Sequence, residues 1–169
     1  GGGPVGQMAS QAAQAAAAGP VVVIEPVAER RALAEQCGAL SAEPSTARAV
    51  IDELTDGRGA DVVVEAVGGS RGLETALAVI RRRGTLVSVG VHSADTWDMP
   101  ISRAFADELT ITFAIGNAIR DQDELAALLA AGVIDPTVII DNRIGIEDAV
   151  SGYEAMRTRR SVKTIVEFD

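Results

Sequence analysis

The stretch that decides the fold is GGGPVG at residues 1–6, together with the apolar run and acid VVVIE at residues 21–25. The first six residues match the spacing G-x-G-x-x-G, with glycine at Gly1, Gly3 and Gly6. In this pattern the first glycine makes a tight turn, the second lets backbone approach a pyrophosphate, and the third lets a helix pack closely on a strand. The helix N-terminus then faces the anion. The motif therefore predicts a dinucleotide-binding turn.

Glu25 supports this prediction because it ends the next apolar run, roughly 20 residues after the glycines, where such sites place an acid. A carboxylate there accepts hydrogen bonds from the adenosine ribose hydroxyls. The same carboxylate repels a 2′-phosphate, so the sequence favours NAD over NADP. The alternative interpretation is a plain glycine turn followed by a glutamate that only begins the next helix.

Short apolar runs alternate with helical patterns along the rest of the chain. Runs that are apolar on both faces are typical of buried parallel strands, and intervening helices of 10–15 residues predict an α/β fold with a parallel sheet. The predicted strands are 21–24, 39–40, 60–65, 85–91, 109–113, 137–140 and 162–168. The predicted helices are 6–18, 27–37, 45–54, 72–82, 122–131 and 146–157, and 93–109 is predicted to be irregular or partly helical. Ser45 is expected to cap the third helix, and the basic triplet Arg81–Arg83 to end the fourth.

Composition excludes several classes of function. The chain has 169 residues with 47% apolar residues and a net charge of −9, so we expect an aliphatic core and no generic affinity for nucleic acid. No apolar run approaches the roughly 20 residues of a membrane helix, and the first residues do not resemble a signal peptide. One cysteine and one histidine form neither an internal disulfide nor a closed zinc site. We expect a cytoplasmic protein with no membrane partner.

Six stretches together resemble the medium-chain, zinc-dependent alcohol dehydrogenase family, in that family's order and spacing. They are GGGPVGQMA (1–9), VVVIEPVAERRALAEQCGA (21–39), TDGRGADVVVEAVGG (55–69), GTLVSVGVHS (84–93), ELTITFAIGN (108–117) and SVKTIVEF (161–168). The string VGVHS most resembles the formaldehyde-dehydrogenase-like branch. The resemblance implies an oxidoreductase that uses NAD and a catalytic zinc to interconvert small alcohols and aldehydes.

The resemblance also implies how the chain is organised. Residues 1–116 are expected to form a Rossmann-type, doubly wound parallel sheet of strand order 3-2-1-4-5-6, lacking its first, central strand. Residues 117–169 are expected to return to the catalytic-domain side. The family's zinc ligands lie in an N-terminal catalytic domain that we expect to be absent here, so the chain alone is expected to be inactive. A homodimer or homotetramer through the strand at 109–113 is implied as well.

The resemblance assigns roles to further residues. Val5 would donate its N–H to the pyrophosphate beside Pro4, which has none. A basic residue near the adenosine corresponds to Arg30, although neighbouring Arg31 looks the same in sequence. The remaining cofactor positions are Val67 on the adenine side, Val89, Gly90 and Val91 near the nicotinamide, Ile115 at the carboxamide and Lys163 close to the pyrophosphate.

Two other interpretations of the chain remain open, and so does the role of His92. The first is a non-catalytic module that binds NAD or dimerises, which the lack of a metal ligand set in the sequence favours. The second is a zinc-free quinone or enoyl reductase of the same superfamily, although such enzymes usually prefer NADP, which Glu25 disfavours. His92 follows the nicotinamide strand and is either a structural histidine or a ligand or acid–base group near the substrate.

Overall fold

The structure, a computed structural model, describes residues 1–94 and 96–168, so Asp95 in the predicted irregular segment lies outside the described residues. The helices are α1 (Pro4–Ala15), α2 (Ala28–Gln36), α3 (Ala47–Thr55), α4 (Ser70–Val79), α5 (Ile101–Ala106), α6 (Ala118–Ala130) and α7 (Ala149–Arg157). The strands are β1 (Val22–Ile24), β2 (Leu40–Ala42), β3 (Ala60–Glu65), β4 (Ile80–Ser88), β5 (Thr110–Phe113), β6 (Ile140–Ile144) and β7 (Lys163–Val166). Short 3-10 helices span Pro136–Ile139 and Ile146–Asp148. No helix within the described ranges has the length and apolarity that crossing a membrane requires.

The strands form three sheets, and every pair is parallel, as the sequence predicts. The sheets are β1–β2, β3–β4–β5 and β6–β7. β1 and β3 belong to separate sheets but pack against one shared apolar cluster. The order β2–β1, then β3–β4–β5, therefore agrees with 3-2-1-4-5-6, with the place of the first strand between β1 and β3.

The core is aliphatic, as the composition predicts. Its main cluster buries Leu73 and Leu77 of α4 against Ile80 and Leu86 of β4, with Trp97 packed on it. A second cluster joins α3 to the end of α4 and to both sheets that flank the glycine turn. Burial of each large aliphatic side chain contributes about 1.5–3 kcal/mol. The second cluster therefore holds the sheet β1–β2 beside the sheet β3–β4–β5.

The fourth predicted helix is too long. α4 ends at Val79, and the triplet Arg81–Arg83, expected at a helix end, belongs to β4. Ile80 is buried in the main cluster, and this burial draws the chain into an extended path after Val79. The arginines then reach Asp61 and Glu108 in ion pairs of 2.6 to 3.2 Å, rather than opposing a helix dipole.

Two further local predictions are wrong. The strand predicted at 137–140 is the 3-10 helix Pro136–Ile139, because Pro136 starts a helical turn and the Asp135 side chain accepts the N–H of Thr137 at 2.8 Å. The cap of α3 is also misassigned. Thr46, not Ser45, occupies the N-cap, and no side chain caps that helix.

The strand at 60–65 has the predicted bounds but is not buried on both faces. Val62 and Val64 share one face of β3, because alternate residues of a strand point the same way, and both are exposed. Among the described residues nothing covers that face, whereas Val63 packs into the core on the other.

The 3-10 helix before β6 contacts α1 through its N-cap residue, Asp135. Gln11, on α1, donates from Nε2 to the Asp135 carbonyl at 3.1 Å and accepts the Asp135 N–H at its Oε1 at 2.7 Å. Within the sheet β6–β7, Asp141 accepts hydrogen bonds from the Ser161 hydroxyl at 2.5 Å and from the backbone N–H groups of Val162 and Lys163 at 2.7 and 3.1 Å. Burial opposes ionisation of Asp141, but these bonds prevail and lower its pKa.

We predict that Asp141→Asn destabilises the chain at neutral pH and not in acid. Because the pKa of Asp141 is lowered in the folded chain, its carboxylate stabilises the fold at every pH above the pKa of an aspartate in the unfolded chain. This stabilisation is lost as the pH falls through the folded-state pKa. We expect Asp141→Asn to lower the free energy of unfolding by about 1 kcal/mol at pH 7. The effect is small because Asp141 is exposed, so that solvent screens its charge. Urea denaturation from pH 7 to pH 2.5 measures it.

The matched control is Asp123→Asn, which removes the same charge from the exposed surface of α6. A loss for Asp141→Asn that is equal to the control, or independent of pH, would contradict the assignment.

Candidate dinucleotide site

The glycine turn leads into a helix N-terminus that no side chain caps. Gly3 is the N-cap of α1, Pro4 opens the helix, and the first turn contains no acidic residue. The first turn of a helix leaves its backbone N–H groups without helical acceptors. Pro4 has no N–H, so the donors of this turn include Val5 and Gly6. With the helix dipole, these donors suit an anion.

The glycines themselves lie between the C-terminal ends of β1 and β3. A Cβ added to Gly1 would lie 2.7 Å from Val67 Cγ2, and one added to Gly2 would lie 3.1 Å from Glu25 Cβ. A Cβ on Gly6 would collide with the carbonyl oxygen of Gly1. The tight turn at the first glycine and the close packing at the third are therefore present, and a Cβ on the second motif glycine, Gly3, would meet only Arg30 Nη1, at 3.9 Å.

Glu25 lies at the end of β1, and only 5% of its surface is exposed. Its Oε2 accepts the N–H of Gly2 at 2.7 Å, and its Oε1 accepts the N–H of Val27 at 3.0 Å. Glu25 thus fixes the glycine turn to β1 and the start of α2. Each oxygen retains a further lone pair, so these bonds leave acceptors for a ribose hydroxyl.

Arg30 and Arg31 look the same in the sequence, but the structure gives them different partners. Arg30 Nη1 lies 3.9 Å from the position of a Cβ on Gly3, and its buried Nε has no hydrogen-bond partner among the described residues. Arg31 instead donates to the carbonyls of Glu25 and Pro26 and pairs with the Glu43 carboxylate at 2.9 Å. Arg30 is therefore the arginine that faces the glycine turn with a free donor.

The other predicted positions follow the ends of β3, β4 and β5. The backbone N–H groups of Val89 and Gly90 donate to the Glu65 carbonyl at 2.8 and 3.1 Å, which aligns that segment with the end of β3. Val91 is 89% exposed and Ile115 is 94% exposed. These side chains stand free at the edge where an open α/β sheet binds its ligand.

Lys163 lies elsewhere. It begins β7, is exposed, and donates its backbone N–H to Asp141. Among the described residues no hydrogen bond or ion pair joins it to the other predicted site residues, so its role near a pyrophosphate stays a prediction.

Sequence reasoning missed a hydrogen-bonded cluster behind this edge. Glu65, 3% exposed, accepts the N–H groups of Val67 and Gly68 at 2.6 and 2.9 Å and the Ser88 hydroxyl at 2.8 Å. The Ser88 hydroxyl also lies 2.7 Å from His92 Nε2. A signal was present, because Glu65 ends an apolar strand just as Glu25 does.

This cluster is not built for nucleophilic catalysis. In a serine nucleophile site the carboxylate orients the histidine, and the serine hydroxyl is accessible. Here the Glu65 carboxylate bonds the serine instead, and Ser88 is 2% exposed.

The part of the chain that the structure describes brings together no group of three or more His, Cys, Asp or Glu side chains able to hold a metal ion. The described residues therefore do not fit a zinc site.

Comparisons with known proteins agree with this fold. The model of the family described as zinc-binding dehydrogenase matches residues 4–131. The chain belongs to this family. A probable zinc-binding alcohol dehydrogenase of Mycobacterium tuberculosis is 32% identical over 157 residues, which cover 93% of this chain and 41% of that protein.

Two solved structures of dehydrogenases superpose on this member of the family. Alcohol dehydrogenase TADH from Thermus sp. ATN1 has a TM-score of 0.94 and 30% identity, covering 100% of this chain and 50% of that one. A putative zinc-binding dehydrogenase from Sinorhizobium meliloti bound to NADP has a TM-score of 0.79 and 26% identity, covering 89% of this chain and 45% of that one. The Rossmann-type fold class is thus confirmed. The chain spans about half the length of the relatives it matches.

We predict that Gly72→Ala destabilises this chain. Alanine is favoured over glycine in a helix by about 1 kcal/mol, but a Cβ on Gly72 would collide with the buried Glu65 Oε1. Overpacking costs about 1–3 kcal/mol. Moving the Glu65 carboxylate away from the N–H groups and the hydroxyl that donate to it adds to this cost. We expect a net loss of about 1–2 kcal/mol in the free energy of unfolding by urea.

Gly116→Ala is the matched control, because nothing lies within 4 Å of a Cβ there. A Gly72→Ala chain as stable as the wild type would show that the buried Glu65 carboxylate does not need the space beside Gly72.

Proposed function

We propose that this chain is the NAD-binding half of a zinc-type dehydrogenase that interconverts small alcohols and aldehydes. The observation that carries the proposal is the uncapped N-terminus of α1 beside Arg30, whose buried Nε has no partner among the described residues. An orphaned guanidinium donor next to free backbone N–H groups suits a phosphate. A dinucleotide therefore fits the residues present.

In this proposal each part of the site has a distinct task. Val5 and Gly6 hold the pyrophosphate, Glu25 accepts a ribose hydroxyl, and Val67 borders the adenosine. Arg30, which the resemblance put near the adenosine, is proposed to reach the pyrophosphate instead, because its Nη1 lies 3.9 Å from the position of a Cβ on Gly3. Residues 89–91 and Ile115 border the nicotinamide ring and its carboxamide. When bound, the nicotinamide accepts or gives a hydride. The described residues supply binding and orientation, and we propose that the zinc and most of the substrate pocket come from outside them.

NAD is proposed over NADP because of the charge at Glu25. Its carboxylate is fixed at the end of β1 by two backbone N–H groups, so it does not swing away from an incoming 2′-phosphate. A putative zinc-binding dehydrogenase from Sinorhizobium meliloti was solved with NADP, so the proposed preference rests on Glu25 and not on the family match.

Finer assignments belong to the same proposal. The string VGVHS at 89–93 favours the formaldehyde-dehydrogenase-like branch, and the composition favours a cytoplasmic location. We propose residues 1–116 as the NAD-binding domain and 117–169 as a segment of the catalytic-domain side.

A second candidate is a non-catalytic NAD-binding or dimerisation module. β5 is the last strand of its described sheet, and Phe113 on it is exposed, which suits a homodimer or homotetramer through residues 109–113. A third candidate is a zinc-free quinone or enoyl reductase, which a preference for NADPH would favour.

We predict that the wild-type chain binds NAD at least tenfold more tightly than NADP, and that Arg30→Ala weakens NAD binding about tenfold. A charge-assisted hydrogen bond contributes about 1.5–3 kcal/mol, and tenfold is about 1.4 kcal/mol. Isothermal titration calorimetry measures both, with circular dichroism to show that each variant is folded.

The matched control is Arg58→Ala, which removes the same charge just before β3 begins, at the opposite edge of the sheet. If both variants bound NAD equally weakly, the effect of Arg30→Ala would come from the lost net charge and not from a contact between Arg30 and NAD. A folded wild-type chain that binds neither nucleotide would overturn the proposed function.

A further inference from the structure

The two segments proposed to border opposite ends of NAD are joined by hydrogen bonds. The loop after β3, residues 66–69, carries Val67 on the adenosine side, and the segment after β4, residues 89–92, lies on the nicotinamide side. The Gly69 N–H donates to His92 Nδ1 at 3.0 Å, which links the loop to the segment directly. Behind the segments, the ends of the two strands are also joined, because the hydroxyl of Ser88, the last residue of β4, donates to Oε2 of Glu65, the last residue of β3, at 2.8 Å.

These bonds fix the tautomer of His92. Its Nδ1 accepts the Gly69 N–H, so this nitrogen carries no proton in the neutral ring. The proton therefore lies on Nε2, which donates to the Ser88 hydroxyl at 2.7 Å. Ser88 in turn donates to Glu65. The donors run in one direction, from His92 through Ser88 to the carboxylate, and every polar atom in the series is satisfied.

Glycines allow the two segments to lie in backbone contact. A Cβ on Gly68 would collide with the Val91 carbonyl oxygen, and one on Gly90 would collide with the Gly68 nitrogen. Gly68 also has a φ of +75°, a conformation that side chains disfavour. The contact is therefore built from both sides and not produced by a single side chain.

We propose that Glu65, Ser88 and His92 are positioning residues that hold these two segments at a fixed separation, so that one dinucleotide contacts both at once. This inference rests on the proposed function. Glu65 and Ser88 are buried, while the His92 side chain is 23% exposed, with its ring edge to face against Phe113 at 6.0 Å. We call the hydrogen-bonded series of Glu65, Ser88, His92 and the Gly69 N–H the bridge, and His92 is its most exposed side chain. Presetting the separation lowers the cost of ordering the site on binding.

The test compares whole and half ligands. His92→Phe keeps an aromatic ring against Phe113 but removes both nitrogens. We expect NAD to bind about tenfold more weakly to this variant, while AMP, which reaches only the adenosine side, binds within twofold of wild type. A role in general stability would weaken NAD and AMP alike, and that result would overturn the proposal.

A conservative variant separates the link from the ring. In His92→Asn the amide oxygen takes the place of Nδ1 and can accept the Gly69 N–H, while the bond to Ser88 is lost. We expect NAD binding to recover to within about threefold of wild type. Recovery is expected because the Gly69 bond is the one that joins the two segments. An Asn variant as weak as the Phe variant, or a Phe variant that binds NAD normally, would overturn the proposal.

A spectroscopic measurement on the ligand-free chain keeps this proposal distinct from the proposed function. His92 is the sole histidine of the sequence, so its ring ¹⁵N resonances need no assignment. We expect an unprotonated Nδ1 and a protonated Nε2 in wild type, and faster exchange of the Gly69 amide in His92→Phe than in His92→Asn. The opposite tautomer would overturn the bridge. Failure of wild type to bind NAD would overturn the proposed function, while the tautomer and the Gly69 exchange would still decide whether the bridge exists.

Discussion

Two buried carboxylates, at the ends of β1 and β3, organise the edge of the fold where we propose that NAD binds. Glu25 lies at the end of β1 and Glu65 at the end of β3, with 5% and 3% of their surfaces exposed. Burying a charge is costly unless hydrogen bonds satisfy it, and here backbone N–H groups of the glycine turn and of the loops after the two strands supply most of those bonds. The loops therefore take their shapes from the carboxylates. One carboxylate shapes the glycine turn and the start of α2, and the other shapes the loop 66–69.

The same constraint explains where glycine is required. Gly72 leaves room for the Glu65 carboxylate, and Gly68 and Gly90 let two loops meet backbone to backbone. At the glycine turn, Arg30 has a buried Nε with no partner among the described residues, and its Nη1 lies 3.9 Å from the position of a Cβ on Gly3, the N-cap of a helix that no side chain caps. We propose that an anion binds there without first breaking internal bonds. The proposed dinucleotide site is therefore a consequence of how the fold satisfies its own charges.

Sequence patterns predict the parallel α/β fold, the glycine turn and Glu25 because these depend on local periodicity and spacing. They fail where a distant contact decides. The Arg81–Arg83 triplet looks like a helix end, but burial of Ile80 extends the chain there. Thr137 opens an apolar run, but Pro136 and the Asp135 cap impose a 3-10 turn. Arg30 and Arg31 are equivalent in sequence and are distinguished only by their partners. The bridge from Glu65 through Ser88 to His92 joins residues from separate strands, so no local pattern reveals it.

We propose that NAD binds along the edge formed by the glycine turn and the ends of β3, β4 and β5. Amide hydrogen exchange with and without saturating NAD tests this binding mode. We expect protection confined to the amides of Gly3, Val5 and Gly6, of residues 66–69 and 89–92, and of Ile115. The contradicting result is protection elsewhere, for example around the cleft of about 480 Å³ lined by Leu40, Val50 and Leu54, with none at the glycine turn.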